Sequence, residues 1–164
     1  PYRREFFKNE IYEVDEVANA FMIPRKLFEE VGGFDEENFP IDLDEADICR
    51  RIKNMGYRIV MNPLVVCYHA SQTYSHIVDF RRPLNAYCMG RNKLYYQRKH
   101  LNIISYSIYL ICFLWLTVFV YTASLLYRGK PKILFYFLWG VFDGLCRPLM
   151  SSLPKSICIN KRVE

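Results

Sequence analysis

The longest uncharged segment of the chain, residues 101–127, sets the strongest constraint on its fold. These 27 residues contain no Asp, Glu, Lys or Arg, and about 20 apolar residues suffice to cross the hydrocarbon core of a bilayer. The alternative is a buried helix of a soluble bundle, but such helices usually carry charge on one face. The segment therefore predicts a transmembrane or deeply embedded helix. Basic side chains flank it at both ends: Arg98, Lys99, Arg128, Lys130 and Lys132.

A second apolar run covers residues 133–145 and ends just before Arg147 and Pro148. It is short for a membrane span, and it includes Asp143. We predict a helix over about residues 133–146, between a basic linker that begins at residue 128 and a tail that ends at residue 164. Three placements stay open for this helix: in the membrane interface, as a re-entrant segment, or as the outer leg of a hairpin.

The charged residues are distributed unevenly along the chain. Residues 1–47 contain 5 basic and 14 acidic residues, residues 48–100 contain 10 and 1, and residues 101–164 contain 7 and 2. A basic middle region beside an apolar segment fits an anionic membrane surface or a diphosphate. Nucleic acid is not expected as a partner, because the chain has neither zinc-finger spacing nor an RNA-binding aromatic motif.

The cysteines are scattered through the chain, and no two of them form a Cys-x-x-Cys pair. We therefore expect reduced thiols in a reducing compartment, rather than a disulfide framework or a zinc site. The six are Cys49, Cys67, Cys88, Cys112, Cys146 and Cys158.

Periodicity and turn signals predict the elements that precede the apolar segment. The apolar positions Ile48, Ile52 and Met55 give the second predicted helix one buried face. After Ser71 comes a polar stretch with aromatic residues, and its basic second half, which ends at His100, also has helical character. The predicted elements are a strand over residues 11–23, a helix from Pro24 to Gly32-Gly33, a helix over residues 43–55, and two short strands on either side of Asn62-Pro63.

The sequence DLDEADICRRI at residues 42–52 contains the letters of two known motifs. Its DEAD string is not a helicase motif, because the chain has no Gly-rich phosphate loop and no apolar strand directly before the string. A metal-binding interpretation of Asp42-x-Asp44 stays open, although such a pair is expected after an apolar strand. We favour a helix start, in which Asp42 caps the helix and Glu45 closes a capping box.

Residues around this helix agree in order and spacing with a known family. Over residues 14–100 the chain resembles the C-terminal half of the catalytic domain of family-two glycosyltransferases of the membrane-attached type. These are inverting enzymes that use a nucleotide-sugar donor. The matching residues are Gly32-Gly33-Phe34-Asp35-Glu36, then Asp44-Glu45-Ala46-Asp47-Ile48-Cys49-Arg50-Arg51, then Gly56-Tyr57, Pro63 and His69, and finally GRNKLYYQRKH at residues 90–100.

The resemblance implies an α/β fold: the C-terminal half of a GT-A-like domain, which is Rossmann-like, followed by membrane-associated helices. Residues 1–100 would form the acceptor-side half of the catalytic domain. The nucleotide-binding half, with its metal-binding Asp-x-Asp for Mg²⁺ or Mn²⁺, is expected upstream of Pro1. The fragment alone is therefore expected to be inactive.

The resemblance also implies roles for the carboxylates of the helix start. The family's Glu-Asp pair is reversed here as Asp44-Glu45, and its second member is the usual catalytic base. Glu45 is therefore the candidate base, with Asp44 next, since the reaction needs a carboxylate that accepts the proton of the acceptor hydroxyl. Asp47 is expected to orient the site or touch the acceptor. Arg51 either binds substrate or only pairs with a neighbouring carboxylate.

Three further residues receive weaker assignments from the resemblance. His69, at the end of the second strand, is either a structural residue or a metal ligand. Asn19 falls near the expected position of the donor sugar, but the Gly often found there is missing. Arg91 either contacts the donor diphosphate or lies at the membrane surface.

Together these expectations describe transfer of one hexosyl or deoxyhexosyl group to a lipid-linked or cell-surface glycan, on the cytoplasmic face of a membrane. The Gln-x-x-Arg-Trp signature of processive synthases is absent from the sequence, which favours transfer of a single sugar. The alternative is a non-enzymatic, membrane-anchored module whose basic surface binds anionic lipid.

Overall fold

The computed structural model describes residues 10–17, 20–66 and 83–148. They form two compact units. Unit 1 contains the described residues of 10–35 and 44–66, and unit 2 contains residues 36–43 and 83–148. This grouping differs from the boundary that we predicted at residue 100, because residues 83–100 pack with the helices that follow them.

Unit 1 combines a small sheet with two helices. Strands β1 (Tyr12–Val14) and β2 (Ile59–Met61) are antiparallel, with Tyr12 opposite Met61. The strand predicted over residues 11–23 is shorter than expected, because β2 offers only three residues for pairing. Helices α1 (Arg25–Glu30) and α2 (Asp44–Asn54) confirm the two helices predicted in this region.

The strand predicted after Pro63 is not formed at residues 64–66. The backbone N–H of Leu64 instead donates to the Asn62 side chain across 3.0 Å, which is the local turn that Asn side chains favour. The remainder of that predicted strand lies outside the described residues.

The predicted apolar face of α2 is largely confirmed. Ile48 is fully buried and Ile52 is 7% exposed, whereas Met55 is 40% exposed. Met55 departs from the prediction because the helix ends at Asn54, after which Gly56 takes a φ of +87°. A positive φ favours glycine, which has no Cβ, and the helix therefore terminates here.

Unit 2 is helical throughout its described part, apart from residues 36–43 and short connections. Its elements are α3 (Pro83–His100), α4 (Ile103–Ile108), a π-helical turn (Tyr109–Phe113), α5 (Leu114–Tyr127) and α6 (Pro131–Cys146). Asn102 begins α4 by accepting a hydrogen bond from the backbone N–H of Ser105, as N-cap residues commonly do.

One helix among the described residues, Ile103–Tyr127, is long and apolar enough to cross a membrane. It comprises α4, the π-helical turn and α5, and only 6% of its most apolar stretch is buried. Large apolar side chains such as Trp115, Leu116 and Phe119 are exposed. The helix predicted over residues 101–127 is thus confirmed as a helix of suitable length and composition.

Helices α3 and α6 pack closely because glycines lie where their backbones meet. A Cβ added to Gly140 would overlap the backbone carbonyl of Tyr87, and one added to Gly90 would overlap that of Phe137. Glycine pairs four residues apart, here Gly140 and Gly144, allow helices to approach closely. The core between these helices and α5 contains Ala86, Met89, Leu125 and Phe137.

Candidate functional site

The first turn of α2 contains the acidic residues Asp44, Glu45 and Asp47. The helix begins at Asp44, one residue later than the predicted start. The capping box of Asp42 and Glu45 stays a prediction. Both Asp42 and Leu43 have a φ of +68°, a left-handed conformation that non-glycine residues adopt only rarely. Negative charge in the first turn is favoured by the helix dipole.

Asp47 and Arg51 form an ion pair one helical turn apart. Nε of Arg51 donates to Oδ2 of Asp47 across 2.8 Å. The Asp47 side chain is fully buried, and the Arg51 side chain is 20% exposed. A buried carboxylate needs such a partner, because burying an unpaired charge costs several kcal/mol. Two roles were expected for Asp47: to orient the site or to touch the acceptor. A fully buried side chain agrees better with the first role.

Arg51 also binds the turn that ends α1. Its Nη1 donates to the carbonyl of Val31, and its Nη2 donates to the carbonyl of Gly33, each across 2.6 Å. Gly32 and Gly33 have φ angles of +83° and +68°, and glycine adopts such angles without a steric cost. One guanidinium group thus joins Asp47 to the Gly-Gly turn (Val31–Gly33). We call Asp47, Arg51 and this turn the Arg51 clamp.

Cys49 lies beside the same helix start. The residue is 3% exposed, and burial raises the pKa of its thiol. A backbone hydrogen bond from Val17 lowers the pKa in part, and the negative charges of Glu16 and Glu45 raise it. Glu16, which follows β1, and Glu45, in the first turn of α2, therefore both influence the same thiol within unit 1.

Arg91 lies in unit 2 and is only 1% exposed. Its Nη2 donates to the carbonyl of Asn38 across 2.5 Å, and its Nε donates to Oδ1 of Asn92 across 3.1 Å. The guanidinium carbon lies 4.9 Å from the ring centre of Tyr95, within range for a cation–π interaction. This burial places the Arg91 side chain in the interior of unit 2.

A buried polar contact links α3 to α6. The hydroxyl of Tyr87 donates to Oδ2 of Asp143 across 2.8 Å, and Nε of Arg147 lies 3.3 Å from the same oxygen. Burial raises the pKa of Tyr87 well above its ordinary value, and the hydrogen bond to Asp143 contributes in the same direction. Asp143 is the charged residue of the second apolar run, which is one reason that this run does not resemble a membrane span. Its hydrogen bond with Tyr87 therefore holds α6 against α3.

The structure brings together some of the residues predicted from the sequence and not others. Asp44, Glu45, Asp47 and Arg51 share the helix α2 of unit 1, with Asp44 and Glu45 partly exposed. Arg91 belongs to unit 2. The proposed positions of Asn19 and His69 lie outside the described residues.

The described part of the chain has no group of three His, Cys, Asp or Glu side chains arranged to hold a metal ion. The Mg²⁺ or Mn²⁺ expected from the resemblance stays a prediction, because its Asp-x-Asp site is expected in the nucleotide-binding half. Four cysteines of the described residues form no disulfide bond: Cys49, Cys88, Cys112 and Cys146.

Asn92 is the residue that the sequence interpretation did not single out. It is fully buried, and its side chain binds main-chain carbonyls of residues 41 and 42. The Gly-Arg-Asn string at residues 90–92 entered the sequence analysis as part of the family resemblance, in which only Arg91 received a possible role. The neighbouring Gly90, required by close helix packing, was the available indication that this string is buried.

Comparisons of the chain with protein-family models, curated proteins and solved structures gave no match. Function is therefore inferred from the residues and contacts described above.

Proposed function

We propose that this chain is the acceptor-side half of an inverting, membrane-attached glycosyltransferase. It transfers one sugar from a nucleotide-sugar donor to a lipid-linked or cell-surface glycan. Two observations support this proposal. The sequence resembles the family over residues 14–100, and contacts in the structure join residues from separate parts of that matching sequence.

The Arg51 clamp is the observation on which the proposal mainly depends. The Gly-Gly turn and the acidic helix start are far apart in the chain, yet the side chain of Arg51 binds both, at 2.6 Å and 2.8 Å. A helix that needed only a cap would not require this buried arrangement. The clamp neutralises the charge of Asp47 and leaves Asp44 and Glu45 as the partly exposed carboxylates of the motif.

In the proposed reaction, Glu45 accepts the proton of the acceptor hydroxyl as its oxygen attacks the anomeric carbon of the donor. The bond between that carbon and the nucleoside diphosphate breaks, and the diphosphate leaves. Attack from the opposite face inverts the anomeric configuration. A positioned general base contributes about 10²- to 10⁴-fold to such a rate. No step assigned to the described residues passes through a metal.

Membrane attachment is supported by two apolar surfaces of unit 2. The first is the exposed helix Ile103–Tyr127. The second is an outer stripe on α6, formed by Phe135, Leu138, Phe142 and Leu145, all at least 40% exposed. An apolar stripe opposite a packed face is typical of a helix that lies in a membrane interface. Attachment of the chain to a membrane supports a lipid-linked acceptor, which we propose is used on the cytoplasmic side.

The proposal is tested with the full-length natural protein in lipid vesicles. A panel of nucleotide sugars is supplied with lipid-linked glycans extracted from the source membrane, and the anomeric configuration of any product is determined by NMR. We expect transfer from one donor with inversion, and loss of transfer in the double variant Asp44→Asn/Glu45→Gln. Retention of configuration, or full activity of the double variant, would exclude this mechanism.

The outer stripe of α6 also favours the second candidate, a non-enzymatic module anchored to anionic lipid. The same preparation separates the two functions. If none of the donors is consumed while the protein still binds vesicles containing anionic lipid, and Phe142→Ser weakens that binding, the module function replaces the enzymatic one.

A further inference from the structure

The apolar helix Ile103–Tyr127 is joined to α3 near both of its ends. At its start, two residues separate it from His100, the last residue of α3. Near its other end, Nζ of Lys93 donates to the hydroxyl of Tyr121 across 3.0 Å and lies 4.5 Å from the centre of the same ring. The apolar helix thus leaves the last turn of α3 and returns to contact its middle.

Buried side chains extend this contact toward the start of α3. Ala86 shares a core with Leu125, and both are fully buried. Tyr121 lies about 27 Å along the apolar helix from its start, and from Ala86 to His100 α3 itself rises about 21 Å. The hydrocarbon core of a bilayer is about 30 Å thick. Helix α3 therefore runs beside the apolar helix, in the opposite direction, over most of the depth that a crossing helix would cover.

A crossing orientation would carry α3 into the hydrocarbon together with the apolar helix. The second half of α3 contains three basic residues that are partly exposed, Lys93, Arg98 and Lys99. Ionised side chains at that depth are costly, and they normally face a protein interior or a water-filled cavity. The partial exposure of these three residues therefore conflicts with a crossing orientation.

The side of α3 that binds residues 36–43 is also polar. Nη2 of Arg91 donates to the carbonyl of Asn38, and Glu36 and Glu37 in the same segment are exposed. Acyl chains cannot solvate carboxylates, and transfer of an ionised carboxylate from water to an apolar environment is very costly. This part of unit 2 therefore faces water.

The apolar helix has two different faces. Ile111, Trp115 and Phe119 are 72%, 67% and 69% exposed. Every Tyr and Thr of the helix except Tyr127 is half-buried instead, so most of its larger hydroxyl-bearing side chains are turned away from the apolar surface. A helix with one strongly apolar face suits a position in the membrane interface, parallel to the membrane plane.

Helix α6 adds apolar surface beside the apolar helix. The ring centre of Phe137 lies 5.2 Å from that of Tyr121, so the two helices are in contact. Gly140 of α6 lies against α3, whereas Phe135 and Phe142 are each 62% exposed. Two neighbouring helices of unit 2 thus present apolar side chains that no described residue covers.

We propose that the apolar helix lies within a single leaflet, along one surface of the membrane, and does not cross it. Both of its ends stay on the same side. The acyl chains of that leaflet cover Phe119 of this helix and Phe142 of α6, while α3 stays on the water side. This placement buries the apolar surface without carrying the charges of α3 into hydrocarbon. The inference rests on the membrane attachment in the proposed function and is independent of sugar transfer.

The test labels both ends of the helix in the full-length natural protein. A strained-alkene amino acid replaces Asn102 or Arg128, and a membrane-impermeant tetrazine dye is added to sealed vesicles of both orientations, before and after detergent. We expect the two positions to react alike: both before detergent in one orientation, and both only after detergent in the other. Opposite accessibility of the two positions would overturn the inference. Leu101 replaces Asn102 as the labelled position if the loss of that cap lowers the melting temperature.

A second measurement tests lipid as the occupant of the apolar surface. A photoreactive amino acid is placed at Phe119 or Phe142, and Glu37 is the matched control among the exposed residues of unit 2. After irradiation, mass spectrometry should find lipid adducts at the two Phe positions and none at Glu37. Adducts with a second copy of the chain or with another protein would overturn this occupant.

Failure of the proposed function gives a different result. In that case the unaltered protein transfers no sugar from any donor, while both ends of the helix are still labelled alike and Phe119 still forms lipid adducts.

Discussion

Arg51 Nε lies 2.8 Å from Oδ2 of Asp47, and the same guanidinium group binds the carbonyls of Val31 and Gly33. Asp47 is fully buried, and its ion pair with Arg51 offsets part of the cost of burying its charge. The fork shape of the guanidinium group explains why one residue serves three acceptors, since it presents five N–H donors in a fixed plane. Removal of Arg51 therefore has consequences for both the stability of unit 1 and the proposed site.

Replacing Arg51 with Ala should destabilise the protein by about 3 kcal/mol, because it removes the ion pair of a buried carboxylate and two hydrogen bonds to main-chain carbonyls. Arg51→Lys should recover only part of this loss, since an ammonium group cannot reproduce the fork. Urea unfolding of the full chain in detergent measures the free energy of unfolding of both variants. Arg25→Ala is the matched control, because the pair of Arg25 with Glu29 is exposed and should contribute below about 0.5 kcal/mol. Equal effects at both positions would contradict the account.

Adding a methyl group at Gly140 should separate α3 from α6. The new Cβ would overlap the carbonyl of Tyr87, and overpacking of this kind costs about 1–3 kcal/mol. A lower melting temperature for Gly140→Ala measures the effect. Leu138→Ala is the control on the outer face of the same helix, where the side chain is 40% exposed. If the melting temperature of Gly140→Ala is not lower than that of this control, helices α3 and α6 do not pack as closely as described.

Alkaline pH should destabilise unit 2 through Tyr87. Its pKa is raised by burial and by Asp143, so the folded state binds the phenolic proton more tightly than the unfolded state does. This contribution is fully present below the ordinary tyrosine pKa of about 10 and decreases as pH rises above it. Melting temperature measured from pH 8 to pH 11 should fall more steeply for the natural protein than for Tyr87→Phe. Tyr127→Phe, at a residue 94% exposed, should leave the profile unchanged.

The thiol of Cys49 should resist alkylation in the folded protein. Burial and nearby negative charge raise its pKa, which lowers the thiolate fraction near pH 8, and thiolate is the reactive form. Mass spectrometry after iodoacetamide treatment should find Cys146, which is exposed, modified well before Cys49. Glu45→Gln removes one of the charges that raise the pKa and should modestly increase the rate at Cys49. Preferential modification of Cys49 would contradict the described burial.

A charge placed on the exposed apolar helix should weaken its membrane insertion. Phe119 is 69% exposed and lies within the candidate span, where Arg costs about 2.5–3.5 kcal/mol on the insertion scale. Carbonate extraction of membranes should release more Phe119→Arg protein than natural protein, and Phe119→Leu should behave like the natural protein. Equal release of all three would indicate that this helix does not insert.

Local pattern was sufficient to predict the helices. The apolar spacing after Ile48 and the turn at Gly32-Gly33 depend on neighbouring residues, and α1 and α2 confirm those predictions. The same holds for residues 101–127, where the absence of charge predicts one long apolar helix. Their boundaries differ by only one or two residues, as is usual for helix ends.

Long-range contacts were not predictable in this way. Asn92 binds main-chain carbonyls about 50 residues earlier, and a carbonyl has no signature in the sequence. The strained angles at Asp42 and Leu43 also conflict with local preference, since neither is glycine. For Arg51, pairing with a neighbouring carboxylate was one of two alternatives left open by the sequence, whereas its hydrogen bonds to the carbonyls of Val31 and Gly33 were not predicted.

The central claim is that Glu45 is the general base of sugar transfer, and the rate of transfer by Glu45→Gln tests it most directly. The matched control is Glu29→Gln, which removes an exposed carboxylate of α1. At saturating donor we expect kcat to fall at least about 100-fold in Glu45→Gln and less than about twofold in Glu29→Gln. A Glu45→Gln protein that transfers sugar as fast as the Glu29→Gln protein would contradict the account.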